Sequence, residues 1–267
     1  MKKKITAVLT FILAAALLAA PALATDFTIK DYDLSFSLPD DWYVITPDTP
    51  DDDPIFTSIN SDPDALRERM TNENIYVFAF KPNSPIVLYV TASEDEASRS
   101  VFTYTKYSEE ELNELAIKTL DEMEAVDDMK TRTGYGVYMR NGIRYIVLCY
   151  WHFSNDDLIH YQEFRTIYNG KNVSVVMAGV EQKIQEENSD TQSYVVDHLR
   201  FTKTLKDPTA GVSGGEKGLA NYALVIVCAV GLVGVLIWSL VDAAKKKKRA
   251  AAAAAEPDEK PDDSGGE

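Results

Sequence analysis

Six aspartates crowd one stretch of this chain: Asp48, Asp51, Asp52 and Asp53, with Asp62 and Asp64 downstream. Together they offer enough carboxylate oxygen to hold a calcium ion. The stretch lacks the spaced Asp-x-Asp-x-Asp-Gly and the distal Glu of a calcium loop. Pro47, Pro50, Pro54 and Pro63 suit a plain extended loop as well as an ordered site, so Asp48–Asp53 reads as solvated. A second set is His152 and His160, which flank the Asn155-Asp156 turn and invite a metal with Asp156 or Asp157. A two- or four-residue turn would set Trp151 opposite His160 and send His152 to the other face. A three-residue loop would bring both histidines to one face. Neither geometry supplies a third ligand, and His198 reads as a surface residue.

No Gly-x-Ser-x-Gly turn, His-Glu-x-x-His helix, phosphate loop or dinucleotide fingerprint occurs. Glu109 and Glu111 sit at a helix start, where capping accounts for them. No catalytic, cofactor-binding or metal residue is assigned, and no cofactor is expected. Aromatics remain: Tyr76, Tyr89, Tyr104, Tyr107, Tyr135, Tyr138, Tyr145, Tyr150, Trp151 and Tyr161 are dense along the strands. Most belong in a core and in cross-strand pairs, with a subset free to form a contact surface.

The elements that must position these residues follow from periodicity and punctuation. Phe27–Ile29, Leu34–Leu38 and Tyr43–Ile45 alternate as half-buried strands, and Asp62-Pro63 opens a short helix over Asp64–Met70. Ile75–Phe80 and Ile86–Thr91 are strands across a Pro-containing connector. Ser108-Glu109-Glu110-Glu111 is a capping box, and Leu112, Leu115, Ala116, Thr119, Leu120 and Met123 form one apolar stripe behind it. Thr131–Arg140, Ile143–Phe153, Leu158–Tyr168 and Val173–Gly179 make a four-stranded antiparallel meander. Asn141-Gly142 and Asn169-Gly170 supply two of its turns. Ile146–Trp151 is apolar on both faces and predicts a central strand covered on both sides. Thr191–Leu199 predicts a last helix opened by Ser189 or Asp190.

Beyond the folded part, Met1–Ala24 has a Lys2–Lys4 start, an apolar run and Ala22-Leu23-Ala24, the pattern of a secretory signal. Leu219–Val241 is long and apolar enough to span a bilayer, and Lys245–Arg249 after it puts the C-terminus in the cytoplasm. The expected organisation is signal 1–24, extracytoplasmic domain 25–205, linker 206–218, transmembrane helix 219–241, then the basic cluster and acidic tail 242–267. The domain carries 33 acidic against 16 basic residues, which excludes a nucleic-acid role. Cys149 lies in the domain and Cys228 in the span, so no internal disulfide forms, and Cys149 reads as a buried small hydrophobe. Export without disulfides points to a bacterial source. The Asn172-Val173-Ser174 sequon therefore carries little weight.

Two segments resemble the Mog1/PsbP-like superfamily: Phe36-Ser37-Leu38-Pro39-Asp40-Asp41-Trp42 at the entry and Val196-Asp197-His198-Leu199-Arg200-Phe201 at the close. The order of elements between them is similar as well. The chain departs from that pattern at Asp41, where a Gly is common, and in a long stretch from Pro47 to Asn74. The resemblance implies an α+β fold, an antiparallel sheet with helices on both faces (an α/β/α sandwich). It also implies a scaffold whose members mostly bind other proteins, with no transferable catalytic set. The expected function is a membrane-anchored extracytoplasmic binding or interaction module of the bacterial envelope, without catalysis, engaging a protein or envelope component. The rival expectation is an envelope enzyme, or a ligand- or metal-dependent sensor with a small-molecule pocket.

Overall fold

A computed structural model of the chain describes residues 24–81, 84–154, 157–180, 184 and 186–208. The signal through residue 23, the linker from 209, the apolar span and the tail lie outside the described residues. Among those described, no helix is long and apolar enough to cross a membrane.

Strands β1 (Ala24–Ile29), β2 (Leu34–Pro39) and β3 (Tyr43–Ile45) open the domain. Helices α1 (Pro54–Ser58) and α2 (Pro63–Asn72) follow, then β4 (Ile75–Phe80) and β5 (Ile86–Ser93). Next come α3 (Glu96–Val101), α4 (Glu109–Val126), β6 (Lys130–Arg140), β7 (Ile143–Ser154), β8 (Asp157–Tyr168) and β9 (Lys171–Val180). Helix α5 (Glu186–His198) and the short β10 (Arg200–Phe201) close it. Seven strands form one antiparallel sheet in the order β3-β4-β5-β9-β8-β7-β6, and β1-β2-β10 form a second.

Local chemistry sets these elements. Ser108 Oγ accepts from the Glu111 amide (3.2 Å) while the Glu111 carboxylate accepts from the Ser108 amide (2.7 Å), the expected capping box of α4. Every residue of its predicted stripe, Leu112 to Met123, is buried. Asn141 and Gly142 have φ of 53° and 75°, and Asn169 and Gly170 have 56° and 75°, as two-residue hairpin turns of the primed kind require. At Gly170 a Cβ would also stand 3.4 Å from the Arg99 Cα, at the near limit of ordinary contact, so the positive φ is what selects glycine there.

Helices cover both faces of the large sheet. On one face α1, α2 and α4 bury Phe56, Met70, Leu112 and Leu120 against Phe78, Tyr89, Tyr150 and Tyr161. On the other, α5 shares its layer with the three-stranded sheet, and Phe36, Leu38, Val195 and Leu199 pack on Leu88, Val175 and Met177. That second sheet was not expected. Lys171 and Lys203 fasten it by reaching the Asp33 carboxylate at 3.1 and 2.7 Å.

Three expectations need correction. The strand holding Ile146–Trp151 is next to the edge of the sheet, and β9 takes the centre. Ile146, Leu148 and Tyr150 are buried on one face of β7, but Val147, Cys149 and Trp151 are only half covered on the other. Cys149 is therefore half-buried rather than buried, because the residue across from it, Gly134, has no side chain to cover it. Finally, α5 starts at Glu186 rather than near Thr191, a turn earlier than its apolar residues alone would place it.

Candidate interaction edge

Among the described residues, several of the carboxylates and histidines weighed as metal candidates have other partners. Asp53 caps α1 by accepting from the Ile55 amide (2.9 Å), and Asp62 caps α2 by accepting from Asp64 and Ala65 (2.9 and 3.2 Å). Arg67 occupies the mouth of the acidic loop, where it pairs with Asp51, approaches Asp64 at 3.6 Å and donates to the Thr49 carbonyl. The Arg67 guanidinium thus offsets part of the loop's negative charge at Asp51 and Asp64. Among the described residues no three His, Cys, Asp or Glu side chains converge as a metal group.

The histidines part as a two-residue turn dictates. Trp151 pairs with His160 and Ser154 with Asp157, so His152 points to the opposite face. His160 is buried, its ring centroid 4.6 Å from that of Trp151, and its Nδ1 accepts from the Ile184 amide (3.2 Å). His152 Nε2 lies 3.3 Å from Asp127, which also pairs with buried Lys130 at 3.2 Å. Burial pushes the His152 pKa below its ordinary value, against the pull of Asp127. Burial also opposes ionisation of Asp127, yet the hydrogen bond and charge of Lys130, the Met129 amide and His152 together hold this carboxyl low. His198 is exposed against Tyr194.

Most of the aromatics are core. Tyr89, Tyr104, Tyr107, Tyr145, Tyr150 and Tyr161 are buried, and Tyr150 stacks on Tyr161 at 4.9 Å. Beside them sits an ion pair that the sequence did not announce: Arg165 Nε meets Glu163 Oε1 at 2.7 Å, both residues 3% exposed. Glu73 at the end of α2 is half-buried, and desolvation raises its pKa to about 7 despite the nearby Arg69. Alternation alone places Glu163 and Arg165 on one face of β8, but only the fold shows that face to be inside.

One element is left with an open side. Among the described residues β6 pairs with β7 alone, leaving an eleven-residue edge. Its two ends are clamped. At the first, Arg132 pairs with Asp121 (2.8 Å), its amide donates to Glu124 of α4, and the ladder slips between Arg132 and Gly134. At the last, Asp197 of α5 accepts from the Tyr138 hydroxyl and the Arg140 guanidinium, both at 2.9 Å. Between the clamps Gly134–Met139 runs in regular register with Arg144–Cys149. Tyr135 is 48% exposed and Met139 64%, on the face where Val137 packs toward α4. The other face carries Gly134, Gly136 and Tyr138, and a Cβ at Gly136 would meet nothing within 4 Å.

A regular, open, apolar edge is a template for another strand. The opposite edge of the sheet is the short β3, the usual way to blunt one. The signal for β6 is present in the sequence: Lys-Thr-Arg-Thr-Gly-Tyr-Gly-Val-Tyr-Met-Arg has no acid in an acidic domain and two strand glycines.

The fold is an α+β domain centred on a seven-stranded sheet, with β6 unpaired on its outer side among the described residues. No family model and no curated protein matches the chain. Among solved structures it is similar to the solution structure of cyanobacterial PsbP (CyanoP) from Synechocystis sp. PCC 6803, at 15% identity. That likeness covers 68% of this chain and 95% of the other, with a TM-score of 0.41. It is also similar to LpqN, involved in cell envelope biogenesis of Mycobacterium tuberculosis, at 12% identity over 69% and 87% of the two chains, TM-score 0.30. The extracellular domain of PknH from the same organism matches at 10% identity over 65% and 83%, TM-score 0.19.

Proposed function

We propose that this protein is a membrane-anchored extracytoplasmic interaction module that engages a protein partner by strand addition at β6. The observation that carries the reading is the open run Gly134–Met139, held extended by Arg132 at one end and Asp197 at the other. Anchoring rests on the apolar run Leu219–Val241 followed by Lys245–Arg249, and export on Met1–Ala24. The module works by contact rather than catalysis. Buried Glu163 and Arg165 are engaged with each other, and buried Lys130 with half-buried Asp127.

A photo-crosslinking residue placed at Tyr135 or Met139, in the full chain in its own membranes, tests the reading. The expected result is one shared adduct from both positions and none from exposed Glu110 on α4. Equal labelling at all three sites, or at none, would sink it.

A second reading, a ligand-responsive sensor, draws on Tyr161 and Glu73. The Tyr161 hydroxyl and one Glu73 carboxyl oxygen are buried with no hydrogen-bond partner among the described residues. Such atoms commonly hold water or a polar ligand. A saturable rise in melting temperature with a small polar compound, lost on Tyr161→Phe, would favour it. An unmoved melting temperature across such a panel would count against it.

A further inference from the structure

Resting on the strand-addition reading, we infer that the strand added at β6 is the β6 of a second copy of this chain, antiparallel about a two-fold axis at Val137. Closed two-fold pairs are the commonest oligomers, and a strand edge is self-complementary only if its side chains match about one point. They match here. With Val137 opposite its own copy, exposed Tyr135 lies across from exposed Met139 of the second copy, a favourable ring–sulfur contact made twice. Gly136, with open space above it, lies across from Tyr138 of the second copy, whose ring is folded inward on Phe164 and Asp197, so nothing bulky blocks the approach of the two strands. Gly134 faces Arg140, so no like charges oppose each other.

Neighbouring registers lose these features. Moving the axis to Gly136 sets Tyr135 against Val137 and Gly134 against Tyr138, and carries Arg132 toward Arg140 of the other copy. The slip before Gly134 and the Asp197 clamp after Met139 bound the matched run on both sides. Pairing there joins two seven-stranded sheets into one. It also satisfies the outward amides and carbonyls of both edges at once. The axis of such a pair stands perpendicular to the sheet, and residues 209–218 of each copy reach at most about 35 Å when extended, so both anchors can enter one membrane.

Cysteine pairs read the register. In the full chain in its own membranes, with Cys149→Ser and Cys228→Ala as background, Val137→Cys places two thiols directly across the axis. Mild oxidation is expected to give a disulfide dimer at tenfold or greater yield than Tyr135→Cys alone, whose thiols stand apart in this register. Because Val137 is half-buried, the exposed double change Tyr135→Cys with Met139→Cys is the second arm, and it is expected to recover the dimer. A monomer in both arms, or equal yields from Val137→Cys and Tyr135→Cys, overturns self-pairing. If Tyr135 then still photo-crosslinks a different polypeptide, the interaction reading stands without the dimer. If it traps nothing, both fall.

Discussion

Arg67 closes the acidic loop by pairing with Asp51, and its guanidinium also lies 5.7 Å from the Phe56 ring centroid. The arginine therefore stitches three parts of the α1–α2 segment together: the loop, the α1 core residue and its own helix. Arg67→Ala is expected to cost on the order of 1 kcal/mol, mainly through lost packing and the Thr49 bond rather than the exposed charge pair. Asp52→Ala, at an exposed position, should stay within about 0.5 kcal/mol of wild type. Urea melts of both variants decide it; equal losses would contradict this account.

The two hairpin glycines separate two costs. Gly142 and Gly170 share a φ of 75°, but only Gly170 has backbone within contact of a new Cβ. Gly142→Ala should lose about 1 kcal/mol for the left-handed conformation alone. Gly170→Ala should lose at least as much, because its Cβ would sit at the near limit of contact with the Arg99 Cα. Thermal unfolding of the pair checks the order.

Glu163 and Arg165 are buried together, so removing either takes a close opposite charge away from the other. Glu163→Leu or Arg165→Met alone is expected to destabilise by about 3–5 kcal/mol. The double change should cost less than the sum, and a double-mutant cycle measures the coupling. Strict additivity would show that the pair does not act as one unit.

Glu73 sets a pH dependence of unusual sign for a carboxylate. Its folded pKa, about 7, is raised above the unfolded value near 4.5, so the folded state holds the proton more tightly. The contribution is complete below the unfolded pKa and is lost as pH rises through the folded one. Glu73→Gln should therefore flatten the decline between pH 5 and 8. At pH 8 the variant should gain on the order of 1 kcal/mol relative to wild type, after allowance for partial exposure. Denaturant titrations at the two pH values read this directly, and a gain larger at pH 5 would reverse the sign.

Much of this fold was legible because local signals agree with the tertiary answer. The α4 stripe, its capping box and both Asn-Gly turns are short-range chemistry, and each lies where the residues put it. The Trp151–His160 register also followed from turn length, once that length was known. Strand order was not legible. Residues 146–151 record apolarity on both faces, but not that β9 inserts between β5 and β8 and moves β7 off centre. The Asp48–Asp53 loop shows the same limit: Arg67, from the following helix, decides its chemistry. The edge at β6 needed the sheet order before its missing acids and two glycines acquired meaning.

Hydrogen exchange at β6 tests the central claim most directly, since an occupied edge protects amides that a bare one exposes. The full chain would be compared in its own membranes and after dilution in detergent, following the amides of residues 134–139. The outward-facing amides are expected to exchange at least tenfold more slowly in the membranes, with those bonded to β7 unchanged. Fast and equal exchange of the outward amides in both states would mean that nothing pairs with β6.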